Sequence, residues 1–312
     1  MQAVLLDSLL RLLKGPRASA WAQLLGRAEA LPAQAPGLSA QLADSVGLVP
    51  AALPWAALLA HAAGIEVGER RWLVLEPLSL KVSPNGIYVV ASGDFGQSIE
   101  TMRTLWAAAC TTLASAGLVL EAQPGLRAFA ALPQDRSDPD TAPAEDLLGV
   151  ELQAHLPADR GWRRWLGELQ IEWTQHPLHN ERVARDALPI NSPWFGRASR
   201  WCDPARAVPE AYSPDPLVAA WARWAGARSV TLPGPETALI DARADDGAAL
   251  TWLQRASQSV LLRFSCGQRF LVRRTDRLKF WRRPYPADSA ASDALTSGLR
   301  SGVAVHGLQQ HR

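Results

Sequence analysis

The chain has few of the residues that build disulfide scaffolds or cysteine zinc sites. Its 312 residues include three cysteines, Cys110, Cys202 and Cys266, which are odd in number and widely spaced. None of them belongs to a CxxC pair. Because disulfide frameworks and structural zinc sites need paired or closely spaced thiols, the sequence predicts neither.

Long apolar runs and an excess of one charge are also missing. No apolar run approaches the roughly 18 residues that a membrane span needs. Lys and Arg total 32 against 30 Asp and Glu, so the formal net charge is +2. We therefore expect no membrane segment and no uniformly basic surface for a polyanionic partner.

The N-terminal segment has a different pattern from a secretory signal peptide. Apolar residues recur at helical spacing over residues 4–13, but Asp7 and Arg11 interrupt them. A signal peptide would place its cation first and an unbroken apolar stretch after it. The pattern predicts an amphipathic helix in a cytoplasmic protein, with a mitochondrial-type presequence as the alternative.

Tryptophan is the residue present in excess. The chain has 13 Trp, which is about three times ordinary usage. Trp162 and Trp165 lie on one face of a helix predicted over residues 159–175, which favours core packing. Trp194 stands in an extended segment and is a better candidate for contact with a ligand.

The order of segments predicts an α/β protein with a mixed sheet flanked by helices. Ala/Leu-rich stretches broken by Pro and Gly fill a helical N-terminal section, residues 1–65. Strand-like and helical segments alternate over residues 66–286, the predicted α/β core. Within it, residues 134–146 are polar and acidic and indicate a solvated loop or linker. Residues 287–312 are rich in Ala, Ser and Gly and are expected to be a disordered tail.

Turn and capping residues place the main elements of this core. The runs RWLVLEPLSLKV and GIYVVAS flank a Ser-Pro-Asn-Gly turn at 83–86, which predicts a hairpin. A helix over residues 97–116 would end at Gly117. The tryptophan-bearing helix would stop before Pro177, because proline disfavours the helical conformation in the residue before it.

One segment carries a family hallmark. Residues 167–199 combine a Glu-x-Gln helix, a His-Pro pair, an arginine and an Asn-Ser-x-Trp strand. This pattern resembles RpfE-type bacterial regulatory proteins. It is also similar to the C-terminal part of archaeal-type cofactor-independent phosphoglycerate mutases. The matching residues are Glu168, Gln170, His176, Pro177, Arg182, Asn191, Ser192 and Trp194.

The resemblance implies a diverged alkaline-phosphatase-like fold and a phosphoglycerate-mutase-like protein that has lost catalysis. Such a protein would act as a cytoplasmic ligand-binding or regulatory protein, with a small anionic or phosphorylated ligand. Where the family has further glycines, this chain has Arg197, which with Arg182 would bind the anion. Asn191 and Ser192 would orient the ligand. Gln170 and Trp194 would make further contacts with it. Glu168 or His176 would transfer a proton.

Two other functions stay open. An active metal-dependent mutase or phosphotransferase would need clusters of Asp and His, and only four His lie outside the predicted tail. We therefore expect no metal and no cofactor. Nucleic-acid binding could use residues 269–283, in which seven basic residues and one acid give a local net charge of +6. An edge hairpin with outward-facing arginines is the favoured explanation of that stretch.

Overall fold

The chain folds into two compact units. The described residues up to Ala51 and from Pro204 onward form unit 1, and Ala52–Asp203 form unit 2. This division differs from the predicted sections 1–65 and 66–286, because the two ends of the chain share one unit. The computed structural model describes residues 2–7, 9–256, 258–279 and 281–286.

The elements follow one another in an alternating order. The first part of the chain contains β1 (Gln2–Leu6), α1 (Leu9–Lys14), α2 (Ala18–Arg27), β2 (Glu29–Leu31) and α3 (Leu38–Ser45). The middle contains α4 (Trp55–Ala62), β3 (Arg71–Ser83), β4 (Gly86–Ser92), α5 (Ile99–Ser115), β5 (Leu120–Ala122), β6 (Ala128–Leu132), α6 (Arg160–Gln175), α7 (Pro177–Ala184) and β7 (Ser192–Phe195). The last part contains β8 (Glu210–Tyr212), α8 (Pro216–Trp224), β9 (Arg228–Ser229), β10 (Leu239–Asp241), α9 (Asp246–Leu253), β11 (Val260–Phe264) and β12 (Arg269–Val272).

Unit 1 is built on a mixed sheet of seven strands. Their order is β2-β12-β11-β1-β10-β8-β9. The strands from β11 to β9 are parallel, while β12 and β2 are antiparallel to their neighbours. The predicted α/β class with a mixed sheet flanked by helices is confirmed.

The predicted N-terminal helix is wrong at its start, because residues 2–6 form the strand β1. This strand lies between β10 and β11, and Val4 pairs with both Ile240 and Leu262. All five of its residues are buried. A parallel strand buried on both faces has a continuous apolar run, which a short segment cannot distinguish from a buried helix. The section 1–65 does contain α1 to α4, but it begins with a strand.

Helices α1, α2 and α9 cover one face of this sheet. Val4 and Leu262 from the strands pack with Trp21 of α2 and Trp252 of α9 in one apolar cluster. Asp245 caps the start of α9 by accepting hydrogen bonds from the N–H groups of Gly247 and Ala248, 3.0 Å each.

Unit 2 is built on an antiparallel sheet. Its order is β4-β3-β6-β5, and β7 also pairs with β3. The predicted hairpin is confirmed as β3 and β4, with Gly86 at a positive φ of 139° beside the turn. The long strand β3 thus contacts three other strands and carries the core of this unit.

Helices α5 and α6 pack on the sheet of unit 2 as the apolar spacing predicts. Helix α5 begins after Ser98, whose hydroxyl accepts from the N–H of Thr101, and Gly117 follows its end at φ 71°. The predicted tryptophan stripe of α6 is buried, and Trp173 lies against Trp106 with ring centroids 4.7 Å apart. Most of the tryptophan surplus is therefore core.

Pro177 ends α6 and also begins α7. His176 is extended, with φ −67° and ψ 138°, and Pro177 is the first residue of the next helix. This position suits proline, because the first turn of a helix leaves its N–H groups unpaired in any case. The helix boundary is confirmed, while the following segment is helical.

The acidic stretch 134–146 is a packed loop of unit 2. Thr141 is buried, and its hydroxyl donates to the carbonyl of Phe195. The carboxylate of Asp138 accepts from the N–H of Ala198 at 3.2 Å. The prediction of a solvated connection is therefore wrong for Thr141 and Asp138, because their side chains bond to backbone groups at the end of β7 and just after it. The predicted tail 287–312 lies outside the described residues. Of the helices that are described, none has both the length and the apolarity to cross a membrane.

Candidate functional site

The hallmark segment brings one pair of predicted site residues together. The side-chain amide of Gln170 on α6 donates to the hydroxyl of Ser192 on β7 at 3.0 Å. Ser192 is fully buried and donates in turn to the carbonyl of Pro193 at 2.7 Å. The two residues therefore connect a helix to a strand.

The side chain of Asn191 pairs with the backbone of β3. Its side-chain oxygen accepts from the N–H of Leu80 at 2.8 Å, and its amide donates to the carbonyl of Leu80 at 2.9 Å. Both polar atoms of the side-chain amide are thus bonded to the backbone of a single β3 residue, Leu80.

The guanidinium of Arg182 bonds to the protein's own backbone. It donates to the carbonyls of Leu188 at 2.8 Å, Gly96 at 3.3 Å and Phe95 at 3.4 Å. It also lies over the ring of Phe95, 5.9 Å from the centroid. Partial burial lowers the pKa of Arg182 from its ordinary value. These contacts tie the chain after α7 to the loop before α5.

The other predicted site residues have separate partners. Arg197 forms an ion pair with Asp140 at 2.6 Å, and Glu168 forms one with Arg164 at 3.5 Å. Trp194 is fully buried, and its indole N–H donates to the carbonyl of Ala142 at 2.8 Å. Its burial makes Trp194 a core residue.

The side chain of His176 caps the start of α7. Its Nδ1 accepts from the N–H of Leu178 at 3.3 Å. The ligand site predicted around these residues thus remains a prediction, and most of its polar groups already have structural partners.

The sequence reasoning missed a buried charge cluster in unit 2. Arg127 donates through Nε to Glu76 on β3 and through NH2 to Glu145 at 2.7 Å. Glu76 is fully buried. The signal was a single glutamate inside the otherwise apolar run of β3, since a buried charge needs a partner. Arg127 and Glu145 come from distant segments and gave no such signal.

The cluster holds two carboxylates on one guanidinium. One oxygen of each, Oε2 of Glu76 and Oε2 of Glu145, is buried without a hydrogen-bond partner among the described residues. Burial, together with the negative charge of Glu76, raises the pKa of Glu145 to about 8, against the opposing effect of Arg127. Burial alone would lower the pKa of Arg127. The negative charges of Glu76 and Glu145 have the larger opposite effect, so the pKa of Arg127 is raised.

One arginine and two aspartates at the carboxyl ends of the parallel strands of unit 1 bond to one another. Arg243 bonds to Asp241 at 2.8 Å and to Asp215 at 2.7 Å. The hydroxyl of Ser213 donates to Asp241 at 2.8 Å. Ligands of open α/β sheets commonly bind at this edge. Among the described residues, no group of three or more His, Cys, Asp or Glu is arranged to hold a metal ion.

A cavity of about 290 Å³ lies between α2, α9 and the end of β12, all in unit 1; we call it the α2–α9 cavity. Apolar side chains form most of its surface. Its charged lining residues are Arg27, Arg273, Arg274 and Asp276. Its apolar lining residues are Ala20, Leu24, Leu250, Leu253, Ala256, Val260 and Val272.

The predicted edge position of the basic stretch is wrong. Strand β12 lies between β11 and β2, so β2 forms the edge. Arg269 donates to the carbonyl of Pro32 at 2.8 and 2.9 Å, and Arg273 forms an ion pair with Glu29. The cations of this stretch therefore serve partly to attach β2 and partly to line the α2–α9 cavity.

No protein-family model matches the chain, and no curated protein does. Among solved structures, the chain is similar to a cofactor-independent phosphoglycerate mutase from Thermoplasma acidophilum. The identity is 14%, the TM-score is 0.35, and the match covers 87% of this chain and 89% of that one. It is also similar to the protein PH0037 from Pyrococcus horikoshii, at 12% identity and a TM-score of 0.43, over 96% of this chain and 93% of that one. Values this low carry no function from either protein to this chain.

We predict that Asn191→Ala lowers the free energy of unfolding. The substitution leaves the N–H and carbonyl of Leu80 without partners, which costs about 1–3 kcal/mol. Urea unfolding measures the loss. The control is Asn180→Ala, at an exposed position on α7, which should change stability by less than about 0.5 kcal/mol. Equal stability of the two variants would mean that Asn191 has no structural role.

We predict that the stability of the chain falls as pH rises toward about 8. The folded state holds the Glu145 proton up to a pKa of about 8, whereas the ordinary carboxyl value is 4.5. The folded state thus binds more protons across that window, so the free energy of unfolding decreases through it and levels off above.

Glu145→Gln should flatten this dependence in urea unfolding series run between about pH 5 and about pH 8. The control is Glu181→Gln, on the exposed face of α7. It should not alter how the free energy of unfolding changes with pH. If the free energy of unfolding of Glu145→Gln depends on pH as steeply as that of the unchanged chain, Glu145 ionises normally.

Proposed function

We propose that this chain is a ligand-binding protein of the regulatory kind, which acts without catalysis. Its ligand is an anionic molecule with an apolar body, bound in the α2–α9 cavity. One observation carries the proposal: three arginines and one aspartate line a cavity whose surface is mostly apolar. The regulatory role is the one that the resemblance to RpfE-type proteins implies.

The apolar lining of the cavity favours a ligand with an apolar body. Leu253, Ala256 and Val260 are buried side chains on its walls. Such a cavity gains about 0.8 kcal/mol for each methylene that a ligand moves out of water. Ligand sites commonly combine an apolar lining with a few placed polar groups, and this cavity has that composition.

The charges at the cavity favour an anionic head group. Arg27 and Arg274 have no carboxylate partner within the described part of the chain, whereas Arg273 pairs with Glu29. The one acid, Asp276, accepts from the N–H of Arg273 at 2.7 Å and pairs with Lys279 at 2.6 Å. Two guanidinium groups are thus available for a carboxylate, phosphate or sulfate group.

We predict that octanoate binds and that octanol, its uncharged counterpart, binds at least about tenfold more weakly, a difference of about 1.4 kcal/mol. Arg27→Gln and Arg274→Gln should each weaken octanoate binding by about tenfold and leave octanol unaffected. Isothermal titration calorimetry measures both ligands against each variant.

The control is Arg255→Gln, at an exposed arginine that follows α9 and does not line the cavity. It should bind octanoate as the unchanged chain does. A second variant, Ala20→Trp, places a large ring at the wall of the cavity and should reduce binding of both ligands. Octanoate affinity that survives both arginine substitutions would contradict the proposal.

Two alternatives remain. An active metal-dependent phosphoglycerate mutase or phosphotransferase would convert 3-phosphoglycerate in the presence of Mg²⁺ or Mn²⁺, and such turnover would replace the proposal of a non-catalytic protein.

Nucleic-acid binding is favoured by Trp281, which is 67% exposed beside the exposed Arg282 and Arg283. It would appear as salt-sensitive retention on a polyanion column that is lost when these two arginines become Gln.

A further inference from the structure

Each of the helices α2 and α9 lines the α2–α9 cavity with one stripe of residues. On α2 the stripe contains Ala20, Leu24 and Arg27, and on α9 it contains Leu250 and Leu253. Residues that are three or four positions apart lie on the same side of a helix. The cavity therefore extends along both helices.

The cations of the cavity lie at the carboxyl-terminal end of α2. Arg27 is the last residue of this helix. Arg273 pairs with Glu29, two residues further on, and Arg274 follows Arg273 directly. An anionic head group that binds Arg27 and Arg274 therefore places its apolar tail towards Ala20, at the other end of the cavity.

An ion pair joins the two helices about one turn beyond the Ala20 end. Arg17, directly before α2, donates to Oδ1 of Asp246 at 3.0 Å, and the indole N–H of Trp21 donates to Oδ2 at 2.9 Å. Both carboxylate oxygens of Asp246 are therefore bonded. Arg17 precedes Ala20 by three residues and Asp246 precedes Leu250 by four, so the ion pair continues the two stripes.

Gly247 lets the guanidinium of Arg17 lie against the first turn of α9. A methyl group on Gly247 would stand 2.5 Å from Cζ of Arg17, which is too close for two carbon atoms. The apolar stripes thus end at a guanidinium and a carboxylate. A ligand tail that reached these two groups would displace water from them, which costs free energy.

The length of the cavity fits a ligand of about eight carbons. From Arg27 to Ala20 the axis of α2 rises by about 10 Å. An extended chain of about eight carbons spans about 9 Å, because its bonds of about 1.5 Å form a zigzag. The cavity volume of about 290 Å³ is also at the lower limit of ligand pockets, about 300 Å³. Both measures favour a small ligand.

We propose that the ion pair of Arg17 and Asp246 limits the length of the ligand, so that the α2–α9 cavity selects medium-chain carboxylates. This inference rests on the proposed function, because it requires the arginines at the other end to bind the head group. Shorter tails leave the apolar side chains near Ala20 and Leu250 in contact with water. Longer tails gain nothing further, because their last carbons stay in water.

Isothermal titration calorimetry of the full chain with hexanoate, octanoate and decanoate tests this limit. Each methylene that a ligand moves out of water raises its affinity about fourfold. Octanoate should therefore bind at least about tenfold more tightly than hexanoate. Decanoate should bind with an affinity within about twofold of that of octanoate, because its two extra methylenes lie beyond the cavity.

Arg17→Leu should shift the preference to the longer ligand, because it replaces the guanidinium with an apolar side chain. Decanoate should bind this variant about tenfold more tightly than octanoate does. Arg17 is 48% exposed, and unchanged octanoate affinity shows that the variant folds. Leu250→Phe should have the opposite effect and make hexanoate and octanoate bind alike, because the larger side chain shortens the cavity.

The matched control is Arg11→Leu on α1. Arg11 is 76% exposed, is paired with Asp7 and does not line the cavity. The same substitution at this position should leave the affinities of all three carboxylates unchanged.

The possible outcomes separate this inference from the proposed function. If octanoate binding depends on Arg27 and Arg274 but decanoate binds the unchanged chain at least tenfold more tightly, the length limit is wrong and the proposed function stands. If Arg17→Leu leaves the limit at octanoate, the ion pair does not set it. If none of the three carboxylates shows saturable binding, both the inference and the proposed function are wrong.

Discussion

The pairing of β1 with both β10 and β11 is the interaction on which unit 1 depends. Five residues at the start of the chain fill the centre of a sheet whose other strands, apart from β2, come from the last third of the sequence. This arrangement brings α2 next to α9 and β12. The α2–α9 cavity exists because the two ends of the chain share one sheet.

Elements with strong local patterns were predictable from the sequence. The hairpin of β3 and β4 follows from its turn residues, and α6 follows from its tryptophan spacing. The strand β1 was not predictable, because a run of four apolar residues, Ala3 to Leu6, fits a strand and a helix equally well until neighbouring strands are known. The acidic loop was misjudged for a related reason. Its polar composition suggests solvent exposure, whereas Thr141 is buried against the end of β7.

The candidate site was harder to predict than the fold. Asn191 and Arg182 are polar residues in a hallmark pattern, a combination that suggests ligand contact, yet their side chains bond to backbone groups of unit 2. Local sequence cannot distinguish these uses, because the carbonyls of Phe95 and Gly96 come from a distant loop. The α2–α9 cavity was also invisible, since its walls come from three separated segments. Only the charge of the 269–283 stretch pointed toward it.

The most direct test of the central claim is to locate bound octanoate by backbone amide NMR. If the chain binds amphiphilic anions in the α2–α9 cavity, the shifts that change on titration concentrate in α2, in residues 250–256 and near Val272. Changes concentrated instead at Arg182, Asn191 and Ser192 would place the ligand at the hallmark segment of unit 2, and that result would contradict the account.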